Sequence, residues 1–158
     1  MIGDFAKELQ VELPAESEPE PPGPAAKVTP FIAPKLRVLI VDDSKMMRSL
    51  LSSYFCGLGC ETVLAEDGVQ ALHELESKGR FEVATVDWDM PRMDGLQFIQ
   101  AVRQRPQFNA LKLLMLTERS SMEDVSRALE VGANQYLMKP VTCETIQDRL
   151  CLMGLLAD

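Results

Sequence analysis

Five times between Leu36 and Leu156, a short apolar run gives way to a longer segment whose apolar residues recur every three or four positions. The first run, LRVLIV (36–41), has no polar residue on either face after Arg37, as a strand covered on both sides must. Similar runs stand at 61–65, 81–86, 112–116 and 134–138. Between and after them, helical spacing predicts helices over 44–55, 68–78, 96–103, 120–131 and 142–156. Strict alternation of this kind predicts an α/β fold, a five-stranded parallel sheet with helices on both faces in three layers. Parallel crossovers are right-handed, which leaves few topologies.

Local signals set the inward faces and ends. Met47, Leu50, Leu51, Tyr54 and Phe55 form one stripe, and Gly57 and Gly59 end it. Val69, Leu72 and Leu75 predict the inward side of the second helix, and Phe98, Ile99 and Val102 that of the third. Ser120 with Glu123 three residues on has the pattern of a capping box, and Thr142 that of an N-cap.

In an open parallel sheet, ligands bind beyond the carboxyl ends of the strands. The polar residues that directly follow the apolar runs are Asp42 and Asp43, Asp87 with Asp89 two beyond, Thr117, and Lys139. The fold brings these four segments to one edge. Carboxylates crowded there repel each other unless a cation lies between them. An all-oxygen donor set suits Mg²⁺. Lys139 adds an ammonium and Thr117 a hydroxyl, which together can stabilise the oxygens of a phosphoryl group. A carboxylate in that setting can act as nucleophile and form an acyl phosphate. Taken singly, the residues have plainer readings: Asp42 and Asp43 as a solvated helix start, Met93-Asp94-Gly95 as a turn, Tyr136 as half-buried packing. For Asp87 the plain reading is weakest, because an unpaired charge at the end of a buried strand is costly.

The first 35 residues differ in kind. Seven of the ten prolines lie between Pro14 and Pro34, which predicts an extended, disordered, acidic tail. Ahead of it, Ile2, Phe5, Leu9 and Leu13 have helical spacing, either a frayed terminus or a docking peptide. The chain carries 24 acids against 16 bases, a formal charge of −8, which argues against nucleic acid or an anionic membrane as partner. No apolar run approaches the roughly 20 residues of a membrane span, and Met1–Lys7 lacks the blocks of a secretory signal. The expectation is a cytoplasmic protein. Cys56, Cys60, Cys143 and Cys151 show no paired metal or redox spacing, and three of them fall among apolar residues in predicted helices. The single histidine, His73, is expected on a polar helix face.

VLIVDDS (38–44), VDWDMPRMDG (86–95), LT (116–117) and YLMKP (136–140), in this order and at intervals of 44, 30 and 22 residues from Asp43, resemble the receiver domains of two-component response regulators. The likeness is greatest to single-domain chemotaxis regulators of the CheY type, and it covers residues 36–157. It implies a flavodoxin-like (βα)5 sandwich with strand order 2-1-3-4-5. It implies Asp87 as acceptor of a phosphoryl group from a histidine kinase or phosphotransfer protein. Asp42 and Asp43 are then the acids that hold Mg²⁺ with Asp87, the main-chain carbonyl of Asp89 completes the protein ligands, and Lys139 lies beside the phosphoryl group. Pro140 falls at a cis peptide of the family. Thr117 and Tyr136 match the switch pair that biases a surface on the fourth helix, fifth strand and fifth helix. Catalysis is limited to the protein's own phosphorylation and dephosphorylation, so it is not an enzyme in the ordinary sense.

Two positions depart from the family pattern. Glu118 stands where Ala or Gly is usual and could repel a phosphate donor or the attacking water. Arg119 and Asp89 flank access to the acceptor, and a pair between them would slow hydrolysis. Because the chain ends at Asp158, output is expected through protein contact: a flagellar switch component as target, or a role as phosphorelay intermediate, phosphate sink or phosphate-independent adaptor, as a monomer or weak dimer. Two rivals fit less well. A metal-dependent phosphatase with Asp87 and Asp89 as its DxD pair expects Thr or Val where Pro91 stands. A flavodoxin-like electron carrier needs a phosphate loop where Asp42 and Asp43 would repel the flavin phosphate.

Overall fold

The order of the strands decides where the polar residues meet. The computed structural model describes residues 35–156, and the tail expectations for 1–34 lie outside them. Five strands, β1 (Arg37–Val41), β2 (Glu61–Ala65), β3 (Val83–Asp87), β4 (Lys112–Thr117) and β5 (Gln135–Met138), form one parallel sheet in the order β2-β1-β3-β4-β5. This is the flavodoxin-like order. The reversal falls between β1 and β3, so their carboxyl ends flank the crevice. Five helices alternate with them: α1 (Lys45–Gly57), α2 (Gly68–Lys78), α3 (Gly95–Arg103), α4 (Met122–Val131) and α5 (Cys143–Leu152).

Side chains of successive strand residues point to opposite faces, and two cores result. Leu39, Val41, Ala84, Val86, Leu113 and Met115 face α2, α3 and α4, where Ala71, Leu75, Phe98, Ile99, Val102 and Ala128 close over them. Val38, Ile40, Val83, Leu114 and Leu116 face α1 and α5 and pack with Leu51, Phe55, Ile146 and Leu150. β3 is buried along its whole length. The edge strand β2 is more open, with an exposed Leu64.

The predicted pairs are all present, with five local corrections. Leu50 of the α1 stripe is exposed, and Leu51 and Phe55 are the buried residues of that helix. Val69 is exposed, because Gly68, Ala71 and Leu75 form the buried stripe of α2. The N-cap of α4 is Ser121, not Ser120: its Oγ accepts from Asp124 N–H at 3.1 Å. One residue earlier the chain is still held in a turn by Arg119 N–H on Thr117 Oγ1. α5 stops at Leu152, and Gly154 takes φ of +77°, a conformation that suits glycine. Leu155 and Leu156 continue the apolar pattern outside the helix and pack on the core. Lastly, the one buried cysteine is Cys60, in the turn before β2, while Cys56 in α1 is exposed. His73 is exposed on α2, as expected.

At the amino end of the strands, Arg103 gathers the loops. Its Nε donates to Gly132 O at 3.0 Å, Nη1 to Phe108 O at 3.2 Å, and Nη2 to Leu111 O and Asn134 Oδ1, both at 2.9 Å. Burial draws its pKa below the usual guanidinium range. This fork joins the end of α3, the segment before β4 and the end of α4. An ammonium cannot reach four acceptors spread over a plane. Arg103→Lys is therefore expected to cost about 2 kcal/mol of stability, read from the urea midpoint. An unchanged midpoint would show that the fork is incidental.

Candidate functional site

The site is built by register. Val41 of β1 lies beside Val86 of β3, which sets Asp42 opposite Asp87. Asp87 in turn lies beside Leu116 of β4, with Thr117 one residue further. Lys139 continues the β5 pairing by donating its N–H to Thr117 O at 2.9 Å. Four strand ends thus deliver Asp42, Asp43, Asp87, Thr117 and Lys139 to one cleft of about 540 Å³, which Asp89 and Glu118 also line. Sequence reasoning did not place its remaining walls, Ser44, Met47, Leu50, Pro140 and Val141, at the cleft. The Lys139–Pro140 peptide is cis, as the resemblance implies.

Carboxylate oxygens of Asp42, Asp43 and Asp87 lie within 4.8 Å of one another. Asp42 is buried, and each of its carboxylate oxygens accepts one hydrogen bond: Oδ1 from Ser44 N–H at 2.9 Å and Oδ2 from Lys139 Nζ at 3.0 Å. Its main-chain oxygen accepts from Arg48 at 2.8 Å. Asp43, next in sequence, is exposed and faces solvent with the cleft. Lys139 Nζ also lies 3.4 Å from Asp87 Oδ1. Burial lowers the affinity of Lys139 for its proton, but its bonds to Asp42 and Asp87 prevail and hold its pKa above the ordinary value. Asp87 goes the other way for a carboxylate. Burial, then the charge of Asp42, raises its pKa to about 6, and Lys139 only partly offsets them.

Thr117 is 1% exposed, and its Oγ1 accepts from Arg119 N–H at 3.2 Å. Tyr136 is half-buried on the edge strand, and its hydroxyl donates to Arg119 O at 2.8 Å. Burial pushes its pKa up. The Asp89 side chain lines the cleft but is not one of the acids that cluster within 4.8 Å. It pairs with Arg119 through Nη2 to Oδ1 at 2.7 Å and Nε to Oδ2 at 3.3 Å, and these bonds raise the pKa of Arg119. The pair expected across the mouth is present. Trp88 is buried beneath it, with the Arg119 guanidinium 4.6 Å from its ring centre.

The loop that carries Asp89 is fixed by two devices with weak sequence signals. A Cβ on Gly95 would stand 2.2 Å from Asp87 O, so only glycine lets α3 start this close to the end of β3. Asp94 caps that helix in a capping box with Gln97. Arg92 adopts φ of +66°, unusual for a side chain of this size, and pairs with the buried Asp67 that caps α2.

The raised pKa of Asp87 carries a sign. Unfolded, the group ionises near the ordinary carboxylate value of 3.8; folded, it ionises at about 6. Between these values the folded state holds the extra proton, so stability falls as pH rises through the window and levels off above it. In chelator-treated buffer the fall is expected to be about 3 kcal/mol. Asp87→Asn should remove that slope and be the more stable protein at pH 7. Equal slopes for both proteins would contradict the assignment.

Residues 38–151 match the family model for the response regulator receiver domain. The chain is 35% identical to the chemotaxis protein CheY1 of Helicobacter pylori over 116 residues, 73% of this chain and 94% of the relative. It is 34% identical to a CheY homolog of Campylobacter jejuni, over 73% and 89% of the two chains. The solved structure of Vibrio cholerae CheY4 superposes with a TM-score of 0.72 at 37% identity, covering 76% of this chain and 99% of that one. With this fold and these strand-end residues, the chain belongs to the response regulator receiver family, and its relatives are of the CheY type.

Proposed function

We propose that Asp87 accepts a phosphoryl group from a phosphohistidine of a kinase or phosphotransfer protein. The supporting observation is one acidic oxygen cluster with a lysine bridging two of its members, Asp42 and Asp87. Asp42, Asp43 and Asp87, with the Asp89 main-chain carbonyl, would hold Mg²⁺. Their all-oxygen chemistry and crowding fit a hard divalent ion, and the uncompensated burial of Asp87 asks for one. When bound, the ion neutralises charge on phosphoryl oxygens.

In the transfer, a carboxylate oxygen of Asp87 bonds to phosphorus as the phosphorus–nitrogen bond to the donor imidazole breaks. The nitrogen keeps the electron pair and takes up a proton. Lys139 faces the acceptor with a fixed positive charge. Thr117, at the neighbouring strand end, turns its hydroxyl to the phosphoryl oxygens. That move gives up the bond from Arg119 N–H, and Arg119 O is the acceptor of the Tyr136 hydroxyl. The two switch residues, Thr117 and Tyr136, are thus linked by one peptide segment. The output is a protein-binding face on α4, β5 and α5, and the chemotaxis relatives favour a flagellar switch component as its target. Chemistry is confined to the protein's own phosphorylation and hydrolysis, in the cytoplasm. Among the described residues no helix is long and apolar enough to cross a membrane.

Trp88 reports on this site. Mg²⁺ is expected to quench its fluorescence, and acetyl phosphate or beryllofluoride to change it further in the wild type but not in Asp87→Asn. A metal response with no Asp87-dependent step would sink the phosphoacceptor reading. The Asp89–Arg119 pair is expected to restrict water at the mouth. Arg119→Ala should then shorten the acyl-phosphate half-life roughly two- to fivefold, the range of an exposed ion pair. An unchanged half-life would leave the pair without that role.

A further inference from the structure

Arg119 has a second carboxylate partner, on a different element. Its Nη1 lies 3.6 Å from Oδ2 of Asp124, the third residue of α4. From the same helix, the Arg127 guanidinium lies 5.7 Å from the centre of the Trp88 ring. The main chain of Arg119 meets β4 through Thr117 Oγ1 and β5 through the Tyr136 hydroxyl. One residue therefore touches the loop after β3, two strands and α4. Of the helices, α4 has the least apolar anchorage, with Ala128 its only buried residue. Its first turn, where Met122 is 84% exposed, depends on polar ties.

We propose that Asp124 is a positioning residue for Arg119, and that this pair couples the mouth of the cleft to the first turn of α4. The proposal rests on the phosphoacceptor reading for what enters the cleft. Asp89 holds the guanidinium with two hydrogen bonds, at 2.7 and 3.3 Å, while Asp124 holds it by a looser contact at 3.6 Å. A charge that draws Arg119 toward the cleft therefore breaks the Asp124 contact first. A phosphoryl dianion on Asp87 is such a charge. The first turn of α4 is then released, with its free carboxylate and the exposed Met122 beside it.

The test is hydrogen exchange in the α4 amides of the full chain, as wild type, Asp124→Asn, Arg119→Gln and the double variant, with and without Mg²⁺ and beryllofluoride. In the resting protein each single change is expected to speed exchange in the first turn roughly two- to fivefold. The double variant should go no further than the larger single one, and Asp124→Glu should keep the protection. In the wild type, beryllofluoride should speed the same amides; in the variants it should add nothing. If Asp124→Asn speeds exchange and Arg119→Gln does not, the aspartate serves only the helix terminus and the proposal falls. Additive effects overturn it too. A wild type whose Trp88 fluorescence ignores beryllofluoride sinks the phosphoacceptor reading instead, and the resting-state cycle still decides the Arg119–Asp124 tie.

Discussion

Everything at the functional edge depends on one compromise between burial and charge. Asp87 ends a strand that is covered along its whole length, where a carboxylate loses most of its hydration. Lys139 answers that loss incompletely, because its ammonium is nearer to Asp42, at 3.0 Å, than to Asp87, at 3.4 Å. Asp42 takes the closer lysine contact and a serine amide as well. Asp87 is left with unspent negative charge beside an exposed Asp43. The sheet thus creates an acidic site whose charge the protein's own groups only partly offset. Register fixes its geometry, since neighbouring strand ends cannot shift without moving both cores.

The sequence made this edge legible because parallel strands are read from continuous apolar runs, and the residues that end those runs must lie at one edge. Asp42, Asp43, Asp87, Thr117 and Lys139 are all recoverable by that rule. What it could not supply are contacts between elements whose facing sides depend on helix rotation. Asp124 lies on α4 and looks like an ordinary helix-terminal acid, and only packing turns it toward Arg119. Asp67 caps α2, and only the structure shows that it also receives Arg92 from another loop. Met93-Asp94-Gly95 reads as a turn, but its glycine is required by a backbone that approaches from β3. Periodicity also overran the end of α5: Leu155 and Leu156 bury apolar surface without being helical. Val69 matched the helical period and still faces solvent, because small residues let α2 lie closer on its Gly68–Ala71 side.

The loop after β3 shows how strain is tolerated at such an edge. Arg92 in a left-handed conformation costs on the order of 1 kcal/mol or more, and the pair with buried Asp67 holds it there. Gly68 N–H also donates to Met93 O at 3.2 Å, so α2 and the loop after β3 share both a charged and a main-chain contact. Asp89 is presented toward Arg119 by a segment fixed on both sides. A mobile loop could not offer two hydrogen bonds of defined length to the same guanidinium without a larger loss of entropy.

The Arg103 fork gives α4 an asymmetry with a consequence in solution. Its carboxyl end is held by a guanidinium bonded to carbonyl oxygens and an amide, with no carboxylate among the partners. Its amino end is held by an ion pair open to solvent. Added salt screens the second kind of contact far more than the first. Ionic strength therefore acts on the helix as on a hinged bar, loosening one end while the other stays fixed.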